Sequence, residues 1–112
     1  MRMRIRGLVV AGALGIAAVV LGAADVHPAL PPSHVEIHQF AFSPTTLTVP
    51  VGATVTWVNG DEEPHTVTSR TGVFASAGLE HEETFSRTFA TAGTYRYFCA
   101  LHPHMTGTVL VR

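Results

Sequence analysis

The chain reads as an all-β protein, a sandwich of short strands. Three observations carry this. Short runs rich in β-branched and aromatic residues recur between Val35 and Arg112. Turn signals such as Ser43-Pro44, Pro50-Val51-Gly52 and Ala92-Gly93 separate them. The same region contains no long apolar period of 3.6 residues. Short strands at regular spacing, with turns between them and no helix, bury their apolar faces by packing sheet on sheet. At 112 residues there is one domain at most, and residues 34–112 suffice for one modest core.

The N-terminal stretch stands apart. Arg2, Arg4 and Arg6 come with no acid, Gly7–Ala24 is unbroken apolar or glycine, and Leu21-Gly22-Ala23-Ala24 ends it with small residues. Charged, apolar and small-residue regions in that order make 1–24 a secretory signal, with cleavage expected after Ala23 or Ala24. The arginines are not adjacent, so ordinary secretion fits better than a twin-arginine route. The alternative is an uncleaved anchor, since eighteen residues is near the lower limit for a span. Either way the domain is exported, to the periplasm if the segment is cut, or extracellular or membrane-attached if it is kept. Residues 25–33, DVHPALPPS, hold three prolines and form an extended linker. His27 is a solvated linker histidine. If the mature chain starts at Asp25, it is instead the third residue of a terminus that wraps Cu(II) in a square plane.

Next, Val35–Phe42 alternates as one strand, with Val35, Ile37, Gln39 and Ala41 on one side and Glu36, His38, Phe40 and Phe42 on the other. His38 is expected to be a partly covered strand residue. Leu47–Val49 is a short strand before a turn. Thr54–Asn59 is a strand with Val55 and Trp57 on one face and Trp57 as core anchor. Gly60–Pro64 is an acidic turn, with Asp61-Glu62-Glu63 solvated or part of a docking rim. His65–Thr68 resumes as a strand. Arg70–Glu83 is irregular or one short helical turn, anchored by Phe74 and Leu79, with His81 on the surface. Thr84–Phe89 is a strand placing Phe85 on one face and Phe89 on the other. Thr94–Cys99 puts Tyr95, Tyr97 and Cys99 on one face, and Gly107–Arg112 closes the domain with Val109 and Val111 paired.

From Asp25 onward there are four arginines, no lysine and eight acids, a net charge of −4. This lacks the basic footprint that nucleic acid requires and suits steering toward a positive partner. Cys99 is the only cysteine. In an exported chain an odd cysteine is a free thiol, half of an intermolecular disulfide, or a metal ligand. An idle thiol in an oxidising compartment is a liability.

Cys99, His102 and Met105 follow one another at three-residue steps in a single loop, and His65 stands upstream. A His₂Cys set with a weak axial Met is the ligand set of a blue-copper electron-transfer site. Copper cycles between a d¹⁰ state that favours soft, low-coordinate donors and a d⁹ state that favours tetragonal nitrogen and oxygen. A trigonal set with a long thioether is a compromise that limits rearrangement. Cys99 would bind as thiolate and His65 and His102 as neutral imidazoles, so binding should fail at low pH.

Several segments carry a family resemblance: FAFSP at Phe40–Pro44, VGATVTWVN at Val51–Asn59, PHTV at Pro64–Val67, GTYRYFCALHPHM at Gly93–Met105 and GTVLV at Gly107–Val111. Together they resemble the cupredoxin family, the small blue type 1 copper proteins, with the short ligand loop of amicyanin-like members. The resemblance implies a Greek-key β-sandwich or barrel over 34–112, one copper ion, and His65, Cys99, His102 and Met105 as its ligands. It also implies a soluble, monomeric, exported electron carrier rather than an enzyme. Its partners would be redox proteins (a cytochrome, dehydrogenase or oxidase) docking near His102, where Leu101, Pro103 and His104 form the rim. Membrane contact is expected only if the signal segment is retained. Thr66 stands where many members have asparagine, and can still offer a hydrogen bond. His104 replaces a bulky apolar residue and is either simply exposed or makes docking or potential depend on pH.

Other classes fit less well. An immunoglobulin-like sandwich needs a second cysteine. A copper oxidase or nitrite reductase needs a second, open copper centre, and no second histidine cluster is evident. A periplasmic copper carrier or buffer would use the same four ligands, and differs by releasing Cu(I) to an acceptor.

Overall fold

The computed structural model describes residues 33–112, with Gly15 the one further described position. The expected secretory signal over 1–24, the expected linker up to Ser33, and His27 lie outside the described residues, apart from Gly15. Among the described residues eight strands follow one another: β1 (Ser33–His38), β2 (Ala41–Ser43), β3 (Thr46–Val49), β4 (Thr54–Asn59), β5 (Thr68–Ser69), β6 (Thr84–Thr88), β7 (Gly93–Phe98) and β8 (Thr106–Val111). They form two four-stranded sheets, β2-β1-β4-β6 and β3-β8-β7-β5. The chain leaves the first sheet at β3 and returns at β4, which lets β1 run parallel to β4 and β3 parallel to β8. All other strand pairs are antiparallel. The expected all-β sandwich is the observed architecture.

Alternation decides which faces meet. Val55, Trp57 and Asn59 of β4 are buried, as are Gly107, Val109 and Val111 of β8. A strand turns alternate side chains to one face, so each contributes a single apolar row. Trp57 lies at the centre of the core. Its ring meets Tyr97 edge-on at 5.5 Å and lies 5.7, 6.1 and 6.4 Å from Phe85, Phe74 and Phe89. Phe74 and Leu79 anchor the irregular 70–83 segment as expected, both buried.

Three local expectations are overturned. Val35–Phe42 is a hairpin rather than one strand: Ile37 pairs with Phe42 and His38 with Ala41, leaving Gln39 and Phe40 as a two-residue turn. Both have positive φ, 50° and 57°, as a tight hairpin turn of the I′ class demands. The turn resets the alternation, so Phe42 joins Val35 and Ile37 in the core. Of the expected strand over 65–68 only Thr68 belongs to one, the two-residue β5, and His65 makes an isolated bridge with Leu79. Phe85 and Phe89 do not face apart, since both rings lie against Trp57.

Gly107 pairs with Tyr97 across β7 and β8. The Tyr97 ring lies over it, and a Cβ there would overlap the phenol. Tyr97 is fully buried and flanked by Phe42 at 4.7 Å and Trp57 at 5.5 Å, so the ring has no room to retreat. Gly107→Ala is therefore expected to destabilise the apo domain by about 1–3 kcal/mol, the cost of overpacking a filled core. Thermal unfolding checks this, and an unchanged midpoint would mean that the ring yields freely.

Candidate metal centre

Two loops at one end of the sandwich build the site. The first follows β4. Asn59, buried at the strand end, donates its amide to the Glu63 and Leu79 carbonyls, 2.8 Å each, and accepts the Asp61 N–H at 2.9 Å. This folds the acidic turn back on itself. His65 is then held by exchange with Leu79: its N–H donates to the Leu79 carbonyl at 3.1 Å, and the Leu79 N–H donates back at 2.7 Å. The second loop follows β7. The Cys99 N–H donates to the Met105 carbonyl, the Met105 N–H to the His102 carbonyl, and the His102 N–H to the Cys99 carbonyl, at 3.0, 2.9 and 3.2 Å. The loop is closed by its own backbone, with Cys99 at its base.

The donors converge. His65 Nδ1 and His102 Nδ1 are 3.2 Å apart, and Cys99 Sγ is 3.8 Å from the first and 3.6 Å from the second. Bonds of about 2.05 Å to nitrogen and 2.3 Å to sulfur, as for a first-row divalent ion, would separate the donors by roughly 3.5 Å (N···N) and 3.8 Å (S···N) in a trigonal plane, and by slightly less in a tetrahedron. The observed triangle is close to both, so the residues fit one metal ion. His65 and Cys99 are fully buried, His102 is half-buried, and Met105 is buried beside them in sequence. The Thr66 N–H points at Cys99 Sγ, 3.3 Å away, and Thr66 Oγ1 accepts the Ala100 N–H at 2.7 Å. Threonine thus ties the two loops together at the position noted in the sequence.

Asp61 departs from expectation. It is not a solvated acid like its neighbour Glu62, for it is only 9% exposed. Its Oδ2 lies 2.8 Å from His65 Nε2, and its carboxylate accepts the N–H groups of Gln39 at 2.8 Å and Phe40 at 3.0 Å. Burial pushes the Asp61 pKa up, but the N–H groups of Phe40 and Gln39 and the contact with His65 together hold it below its ordinary value of 3.8. Phe40 itself lies edge-on to both imidazoles, 5.1 Å from His65 and 5.0 Å from His102, and is 45% exposed. Leu101 is 53% exposed, and Pro103 and His104 are also exposed on either side of His102. His38 is exposed, 3.9 Å from Asp61. His81 sits outside the donor triangle, near Glu62, Glu82 and the Asp61 carbonyl.

Residues 32–112 match the family model of copper-binding proteins of the plastocyanin/azurin family. The chain belongs to this family. Among similar cupredoxins, amicyanin of Paracoccus denitrificans is 42% identical over 82 residues, 69% of this chain and 63% of the relative. The chain thus spans less than two thirds of that relative's length. Plastocyanin of Scenedesmus fuscus is 40% identical over 85 residues, 63% of this chain and 86% of the relative. An amicyanin variant in its reduced Cu(I) form superposes with a TM-score of 0.70 at 36% identity, covering 73% of this chain and 83% of the other. A purple cupredoxin from Nitrosopumilus maritimus does so with a TM-score of 0.67 at 33% identity, covering 71% and 99%. The metal of this cupredoxin is copper, and His65, Cys99 and His102 are placed to bind one ion.

Sequence reasoning brought His65, Cys99 and His102 together but missed Asp61 and Phe40. The available signal was the four-residue spacing of Asp61 and His65 across a turn closed by Asn59. Asp61 also carries a prediction. Its folded pKa lies below the unfolded value, so its contribution is complete above about pH 4 and is lost as pH falls through the folded pKa. In urea unfolding of the apo protein, the gap between wild type and Asp61→Asn should be wide at pH 7 and shrink by pH 3. A gap independent of pH would contradict this.

Proposed function

We propose that the protein is a mononuclear blue-copper electron carrier, with His65, Cys99 and His102 as equatorial ligands and Met105 as the weak axial donor. The observation that carries this is the donor triangle, buried on the His65 and Cys99 sides and open only at His102. Bound copper would supply one-electron chemistry between Cu(II) and Cu(I). The chain supplies the rest. Paired backbone hydrogen bonds hold the His65 and Cys99 loops, which limits rearrangement on redox change. The Thr66 N–H donates toward the cysteine sulfur and tempers its charge. Burial of His65, Cys99 and Met105 keeps water away. The half-exposed His102, among Leu101, Pro103 and Phe40, is the shortest route for an electron to a docked partner.

On this reading residues 1–24 are removed as a secretory signal, 25–33 are a linker, and 34–112 work in the periplasm as a monomeric carrier without enzymatic activity. Its partners are redox proteins docking at the His102 rim. Voltammetry of the copper protein with a Cu(I) chelator present tests the function. A reversible one-electron couple with copper retained through repeated cycles is expected. Copper lost to the chelator on reduction would instead make the protein a copper carrier or buffer.

A further inference from the structure

We propose that the outer face of the β3-β8-β7-β5 sheet carries a binding site for a small tetrahedral oxyanion of the phosphate or sulfate class, held between Arg70 and Arg96. The site is separate from the donor triangle and does not depend on the blue-copper reading.

Strand register brings the two arginines together. Thr68 pairs with Phe98 and Ser69 with Tyr97, so Arg70, the residue after β5, meets Arg96. Its N–H donates to the Arg96 carbonyl at 3.0 Å. Arg96 in turn pairs with Thr108, and Phe98 with Thr106. Ser69, Tyr97 and Gly107 are buried, so alternation turns Arg70, Arg96, Thr106 and Thr108 outward. A cavity of about 270 Å³ opens on this face, and its lining includes both arginines, Thr45, Thr106 and Thr108. That is room for an ion of phosphate size and a few waters.

Two features make the cavity a place for an anion. Like charges opposite one another across a strand pair repel. Among the described residues every ion pair involves a histidine, and neither arginine takes part in one. From Asp25 onward the chain has twice as many acids as arginines, so two adjacent, uncompensated guanidinium groups are a local inversion of its charge. A bound oxyanion would relieve their repulsion. The second feature is orientation. The Arg70 guanidinium lies over the Phe98 ring, 4.9 Å from its centroid. Stacking occupies the flat face and leaves the N–H donors at the edge, where their fork matches the oxygens of an oxyanion. The Thr106 and Thr108 hydroxyls add donors of their own. The net charge of −4 opposes docking on an anionic bilayer, which favours a free ion over a lipid headgroup.

The test is ¹H–¹⁵N NMR of the apo protein, titrated with inorganic phosphate at pH 7 and with sodium chloride at matched ionic strength. Phosphate should give saturable shifts at the amides of Arg70, Arg96, Thr106 and Thr108 and at the Nε–H groups of both arginines. Chloride should not. Arg70→Gln and Arg96→Gln should each weaken binding about tenfold, the loss of one charge-assisted hydrogen bond, and the double substitution should abolish it. Arg112→Gln, outside the cavity, should bind as wild type does. Phosphate should also raise the thermal midpoint of wild type and leave that of the double variant unmoved. Arginines with a purely structural role would give a midpoint deficit that phosphate does not alter, and that result would overturn the proposal. Shifts that chloride reproduces, or that survive the double substitution, would do the same. So would arginine-dependent binding to phosphatidylglycerol vesicles without binding of free phosphate, since the pair would then serve a membrane. Should a variant not fold, the wild-type titration still decides: shifts that do not saturate, or that fall away from this face, sink the idea.

Discussion

Cys99→Ser is expected to abolish the blue band and weaken copper binding by more than the roughly 100-fold typical of disturbing a ligand's hydrogen-bond partner. A serine hydroxyl does not ionise under conditions where a metal-bound thiol does, so no short metal–thiolate bond can form. His65 and His102 would remain, and two imidazoles hold Cu(II) only as a pale, tetragonal centre. The fold should survive. Serine is close in size to cysteine, and the Thr66 N–H already pointing at Sγ can meet the new oxygen. Visible absorption and a competitive chelator titration measure the effect, with the thermal midpoint of the apo protein as control. A blue band that persists in the variant would remove Cys99 from the ligand set.

Trp57→Ala should be the most destabilising single change in the core. Trp57 is fully buried and packs against Phe74, Phe85, Phe89 and Tyr97, which come from both sheets and the irregular segment between them. Removing a buried indole costs about 3–5 kcal/mol, through lost transfer energy and the cavity left behind. Domains of this size have total stabilities of about 5–15 kcal/mol, so the variant should unfold many degrees lower. The metal loop should feel the change, because Tyr97 packs on Trp57 and lies two residues before Cys99. Urea unfolding of the apo protein gives the number. A loss below about 1 kcal/mol would mean that the surrounding aromatic rings close the gap.

The parts legible in the sequence were those governed by local chemistry. The alternation of Thr54–Asn59 and Gly107–Arg112 paired Val55 with Trp57 and Val109 with Val111 on a face, and all four lie in the core. The donor types at Cys99 and His102, with His65 after the Asn59 turn, marked a metal site that the fold assembles. What stayed hidden depends on contacts between distant segments. Gln39-Phe40 carries no glycine or asparagine to announce a tight turn, because its conformation is enforced by a carboxylate 21 and 22 residues away. Asp61 shares an acidic run with Glu62 and Glu63, and nothing in composition distinguishes the one acid that faces inward. Phe40 looked like one more strand residue until the hairpin turned it across the two imidazoles.

Titration of the apo protein with Cu(II), followed by visible absorption and EPR, tests the central claim most directly. One equivalent should produce an intense blue band and a narrow copper hyperfine splitting, both signatures of a short copper–thiolate bond. A pale, tetragonal signal, unchanged by Cys99→Ser, would take the cysteine sulfur out of the ligand set and contradict a blue-copper centre at His65, Cys99 and His102.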